Sequence, residues 1–69
     1  MQITFGKRLK ELREDHNLSQ TSLANNIKAT HSAISAWETG LRQPTLPYLI
    51  ALAKFFDVTL DYLAGLTEY

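Results

Sequence analysis

The chain has 69 residues, no cysteine, and seven basic residues balanced by seven acidic ones, for a formal net charge of zero. That length allows one small domain, and a chain without cysteine excludes a disulfide framework and a thiolate metal site. A composition that is 45% hydrophobic excludes a disordered segment, and no apolar run approaches the roughly 20 residues that span a bilayer.

Five short helices are predicted, with no strand signal, because no stretch alternates apolar and polar residues for long. The first is expected over residues 5–16, where Phe5, Leu9, Leu12 and His16 form one helical stripe. Thr4 is its predicted N-cap, and Asn17 suits the left-handed position that closes it. The second is expected over residues 20–27, capped by Ser19, with Leu18, Leu23 and Ile27 facing inward beside the small Ala24. The third is expected from residue 31 to 38 or 39, capped by Thr30 and stopped by Gly40. Its large apolar residues are Ile34 and Trp37, three apart, which is one narrow edge. His31, Ser32, Ala33, Ser35 and Ala36 leave it a broad, low-profile outer face.

The fourth helix is expected over residues 46–56, with Thr45 as cap and Pro47 in the first turn, where a missing amide hydrogen does no harm. Leu46, Leu49, Ile50, Leu52, Ala53 and Phe56 cover most of its circumference, so it is expected to be the most buried helix. The fifth is expected over residues 60–64, capped by Thr59, with Asp61 at its positive end and Gly65 after it.

Charge is unevenly spread. Residues 1–45 hold six bases and four acids, whereas residues 46–69 hold one base and three acids. A zero sum argues against a nucleic-acid binder, whose usual footprint is a basic excess, but the asymmetry assigns the two ends different partners.

The segment 20–38 joins two helices by a tight turn. Two helices can cross steeply over such a turn when the first carries a small residue at the crossing, here Ala24, and the second seats an apolar edge, here Ile34 and Trp37. The outer face of the second is then free to enter a DNA major groove about 12 Å wide. In order along the chain stand Leu18-Ser19-Gln20, Leu23-Ala24, Thr30, Ile34-Ser35, Trp37-Glu38, Gly40 and Pro44-Thr45. With the lead-in Phe5-Gly6-Lys7-Arg8-Leu9 and the closing Val58-Thr59-Leu60-Asp61-Tyr62-Leu63, this series resembles the Cro/CI-type, XRE-like helix-turn-helix family, which includes the lambdoid phage repressors.

The resemblance spans nearly the whole chain and implies an all-α, five-helix, lambda-repressor-like domain over residues 1–69. It implies that residues 31–38 form the recognition helix, with His31, Ser32, Ser35 and Ala36 reading base edges. Ser19, Gln20, Thr30, Thr39, Arg42 and Gln43 are implied to hold phosphates and position the domain. Two departures stand out. Lys28 occupies a turn position where the family usually has glycine, and Ala36 stands where relatives often carry a longer polar side chain. The family often bridges the first helix to the recognition helix, which here implies an Arg13–Glu38 pair, and Glu38→Gln is expected to lower stability and DNA affinity together.

Plainer readings account for other residues. Trp37 is expected in the core. The two histidines lack ligand spacing, so no metal is expected, and no serine has a base and orienting acid. The Lys7-Arg8-Lys10 run reads equally as a solvated helix face or as long-range attraction for DNA. Tyr62, Leu66 and Tyr69 either fold onto the last two helices or form part of a two-fold interface. The expected function is a sequence-specific transcriptional regulator, a repressor of phage or bacterial type, that binds a palindromic operator as a homodimer and reads two half-sites. It is expected to be a cytoplasmic, non-enzymatic protein without cofactor, with RNA polymerase or an antagonist protein as further partners. The alternative is an antitoxin or other module whose main partner is a protein; such a module would usually need chain beyond residue 66. Because the base-facing helix is almost uncharged, binding is expected to rest on local phosphate contacts more than on bulk attraction.

Overall fold

Hydroxyl side chains and left-handed residues punctuate the chain into five helices: α1 over Phe5–Asp15, α2 over Gln20–Ile27, α3 over His31–Thr39, α4 over Leu46–Phe56 and α5 over Leu60–Leu63. The computed structural model describes residues 4–66, and no strand occurs among them. α1 ends one residue earlier than expected, with His16 as its C-cap, and α5 likewise ends at Leu63 with Ala64 capping it.

Each helix begins after a Ser or Thr in extended conformation. Thr4, Ser19, Thr30 and Thr59 accept from the amides of Lys7, Ser22, Ala33 and Tyr62, each satisfying a first-turn donor that no helical carbonyl can reach. Thr45 holds the same place before α4 but makes no side-chain capping bond. Pro47 already relieves that first turn of one unpaired amide.

The helices stop by a common device. Asn17, Lys28, Gly40, Asp57 and Gly65 all lie in the left-handed region, with φ between 56° and 82°. The next amide then reaches back five residues from Leu18 to Arg13, Ala29 to Ala24, Val58 to Ala53 and Leu66 to Asp61. Lys28, at φ 59° and ψ 39°, therefore adopts the conformation that glycine adopts without steric cost. Lys28→Gly is expected to stabilise the domain by roughly 0.5–1 kcal/mol, raising the thermal midpoint by a few degrees. A thermal melt that shows the opposite shift would exclude strain at this turn.

α3 is wedged between α1 and α2, while α4 packs on α2 and α5, and α5 on α1. Leu9, Leu23, Ile34, Leu52 and Leu63 are fully buried where these helices meet. α4 differs from its expected all-round burial. Leu52, Ala53 and Phe56 face the core, but Leu46 is 61% and Ile50 39% exposed. The helices that pack on α4 do not cover every side of it, so the flank that carries Leu46 and Ile50 stays open.

Two residues of the first predicted helix also differ from expectation. His16 lies outside the buried stripe: it is exposed, its ring packs edge-on against Phe56 with the centroids 5.0 Å apart, and its Nδ1 lies 2.8 Å from the Leu12 carbonyl. Arg8 leaves the solvated run formed by Lys7 and Lys10, and is only 7% exposed. Its guanidinium sits 4.0 Å above the Tyr62 ring, a cation–π contact that ties α1 to α5.

Candidate nucleic-acid interface

α3 is fixed at both ends before its free face is considered. Three residues, Lys28, Ala29 and Thr30, separate it from α2. Ala24 is buried on α2, and without a longer side chain there the two helices close on each other. Ile34 and Trp37 turn inward, and the indole stands 5.1 Å from the Tyr48 ring. In a helix of 3.6 residues per turn, Ser32, Ser35, Ala36 and Thr39 then share the opposite face, with His31 at its leading edge. His31, Ser32 and Thr39 are exposed, and Ser35 and Ala36 half-buried. The structure thus brings the four predicted base-reading residues together on one uncrowded surface.

The far end of α3 is held by charge and by close packing. The Arg13 Nε donates to Glu38 Oε2 at 2.6 Å and its Nη2 to Oε1 at 3.1 Å, a two-pronged pair with side chains 12% and 4% exposed. The third nitrogen, Nη1, donates to the Leu18 carbonyl at 2.8 Å. These bonds to Glu38 hold the Arg13 guanidinium protonated above its ordinary range, outweighing the opposing effect of burial. Its contribution to stability is therefore complete below the usual arginine range and lost only at pH far above neutrality. Gln20 joins the same carboxylate, its Nε2 donating to Glu38 Oε1 at 3.1 Å.

One turn of α1 presses directly on this junction. A Cβ on Gly6 would stand 2.5 Å from the Glu38 carbonyl oxygen and 2.8 Å from that of Trp37. The absent side chain lets the two backbones meet.

Residues 9–63, which contain the α2–turn–α3 unit and the helices that hold it, match the model of the helix-turn-helix family. The chain belongs to the helix-turn-helix family. It is 41% identical over 61 residues to the HTH-type transcriptional activator BcrR of Enterococcus faecalis, a match covering 88% of this chain and 30% of BcrR. It is 37% identical over 64 residues to the uncharacterized HTH-type transcriptional regulator YobD of Bacillus subtilis, covering 93% of this chain and 57% of YobD. The chain thus spans less than two thirds of either relative. Among solved structures, the P22 c2 repressor in complex with a synthetic operator superposes with a TM-score of 0.84 at 30% identity, covering 88% of this chain and 92% of that one. Helix order, absence of strands among the described residues and repressor-like architecture agree with the Cro/CI-type fold expected from the motif.

Within this helix-turn-helix domain the other predicted positioning residues fall into four settings. Thr30 caps α3 with its oxygen lone pair, so its hydroxyl proton is still available to a ligand. Thr39 donates its hydroxyl to the carbonyls of Ser35 and Ala36, which turns its acceptor side outward. Ser19 accepts from the Ser22 amide and donates to the Ser22 hydroxyl, so its polar group is engaged within α2. Arg42 and Gln43 are exposed on the loop after α3, and the Arg42 amide donates to Ala36 O at 3.2 Å, folding that loop back against the outer face. Together with Ser32, Ala36 and Tyr48 they line an open groove of about 430 Å³.

Sequence reasoning missed Leu41 in this groove, 79% exposed at the bend where the loop leaves α3. It also passed over Gly6 and the Gln20–Glu38 bond. Tyr62 lies apart from α3, half-buried under Arg8, and Leu66 beyond α5 is 64% exposed. Tyr69 is outside the described residues. No helix among those residues is long and apolar enough to cross a membrane.

Proposed function

We propose that this chain is the sequence-specific DNA-binding domain of a transcriptional regulator, with α3 as its reading helix. The observation that carries the reading is the outer face of α3. It is low and uncharged, backed by the buried Ile34 and Trp37, and clamped at its far end by Arg13 and Glu38. A narrow helix with such a face fits a groove about 12 Å wide without having to dismiss bulky or repelling groups. His31 donates to guanine N7 or O6, Ser32 and Ser35 donate or accept, and Ala36 packs on a thymine methyl. Gln20, Thr30, Arg42 and Gln43, with the free amides at the start of α2 and α3, hold the flanking phosphates and set register. Ser19 and Thr39 serve the same contacts less directly, through their helices.

One such helix spans few base pairs, so the domain reads a palindrome as a homodimer, and Tyr62, Leu66 and Tyr69 are the residues we assign to that contact. Bound at a promoter, the dimer represses by excluding polymerase or regulates by touching it. The related names include both an activator and a repressor, so one architecture serves either sign. The reading requires no catalytic group and no cofactor, and places the protein in the cytoplasm with its DNA.

Selection from random duplex DNA tests this. A palindromic consensus is expected, and His31→Ala is expected to lose roughly 1–3 kcal/mol of affinity and to relax the preference at one base pair per half-site. Arg42→Gln is expected to weaken all duplexes alike and to reduce the salt slope by about one per protomer. No enrichment at low salt and high protein concentration overturns the reading.

A further inference from the structure

We infer that Glu38 is a positioning residue for Gln20, presetting that side-chain amide as a donor to a DNA phosphate and linking the phosphate contact to the seating of α3. The inference rests on the DNA-binding reading above and concerns how that site is built.

A glutamine at the first position of a helix is long and mobile, and its amide can present either oxygen or nitrogen to a ligand. Ordering such a side chain on binding loses up to about 2 kcal/mol of rotamer freedom. Here one partner decides both questions. Glu38 Oε1 is an acceptor, so it takes an N–H from Gln20 Nε2, at 3.1 Å, and this fixes which way the amide faces. Nε2 keeps a second N–H, held in the same plane, and Gln20 is half-buried, so part of the side chain remains open to a ligand.

Glu38 can act in this way because its own position is fixed. Its side chain is 4% exposed and both oxygens are taken by Arg13, which also grips the Leu18 carbonyl two residues before Gln20. Inside this low-dielectric junction the bonds are stronger and more directional than on the surface. Arg13 also neutralises the carboxylate, so an incoming phosphate meets a neutral cluster. One carboxylate therefore ties α1, α2 and α3. Any shift in the angle of α3 displaces the donor on α2, and a phosphate held by Gln20 favours the seated angle.

The test uses the full chain and its selected duplex, with single phosphates replaced in turn by uncharged methylphosphonate. In the parent protein, several replacements are expected to weaken binding, and the one at the phosphate that Gln20 holds is expected to do so roughly tenfold, the size of a lost hydrogen bond to a charged acceptor. Gln20→Met is expected to bind the parent duplex about tenfold more weakly and to be indifferent to that replacement. Glu38→Gln, which offers one good acceptor to three donors, is expected to share the indifference although Gln20 is intact. Glu38→Asp carries the same expectation and keeps the charge opposite Arg13, should the amide variant not fold. Without DNA, the Gln20 Nε2 proton that meets Glu38 is expected to resonate away from its position in a free glutamine side chain, and to return toward that position in either Glu38 variant.

Retained sensitivity in Gln20→Met overturns a phosphate contact by Gln20. Lost sensitivity in Gln20→Met but retained sensitivity in both Glu38 variants overturns the positioning role alone. A parent protein that binds no duplex overturns the DNA reading itself, a result distinct from the other two.

Discussion

Glu38→Ala is expected to lower stability by about 3 kcal/mol, the size seen when one partner of a buried ion pair is removed. Domains of this length typically have roughly 3–10 kcal/mol in all, so the variant loses a large share, and its thermal midpoint should fall by roughly 12–24 °C. The reason is what remains. Arg13, 12% exposed at its side chain, keeps its charge and loses two acceptors, and Gln20 loses one. The double variant Arg13→Met/Glu38→Leu separates structure from function. Removing both charges and filling the space with apolar groups is expected to restore most of the stability. DNA affinity is expected to stay low, because nothing then orients Gln20 or fixes the angle of α3 by directed bonds. Melts by circular dichroism and titration of one duplex check both statements. If the single variant melts within a degree or two of the parent, the junction is not what holds α3.

The features legible in the sequence were those whose meaning is local. A hydroxyl residue three positions before an unpaired amide signals a helix start whatever the rest of the chain does, and Thr4, Ser19, Thr30 and Thr59 all cap as expected. The spacing of Ile34 and Trp37 likewise fixes the inner edge of α3, and hence its outer face. Lys28 was legible as a tension between residue type and turn, and its left-handed backbone resolves that tension. What escaped depends on distant partners. Arg8 looks like its solvated neighbours until Tyr62 of α5 arrives above it. Leu46 and Ile50 look like core residues until the number of helices available to cover α4 is known. The Gln20–Glu38 bond joins residues on different helices, and composition near either one gives no sign of it.

Gly6 is the extreme case of this kind and carries the second large expected effect. On propensity alone, Gly6→Ala in α1 should be neutral or favourable, since alanine is up to about 1 kcal/mol better than glycine inside a helix. The structure reverses the sign. The added Cβ meets the Glu38 carbonyl oxygen at 2.5 Å, that of Trp37 at 2.8 Å and the Glu38 carbonyl carbon at 3.0 Å, all of them backbone atoms without a rotamer to change. α1 and α3 must move apart, and overpacking of this kind costs roughly 1–3 kcal/mol. The displacement falls on the residue whose side chain bonds Arg13 at 2.6 Å, so the ion pair lengthens as the backbones separate. Gly6→Ala is therefore expected to lower the thermal midpoint by roughly 5–20 °C and, at temperatures where it remains folded, to weaken DNA binding more than its exposed neighbour Lys7→Ala does. That second comparison is the informative one. Lys7 lies on the same turn of α1 and is exposed, lining an open groove beside Glu38 and Thr39, so replacing it removes a charge without pressing on the α3 backbone. If Lys7→Ala proves the weaker binder, α1 acts through its field; if Gly6→Ala does, α1 acts as the platform that sets how α3 is presented to the groove.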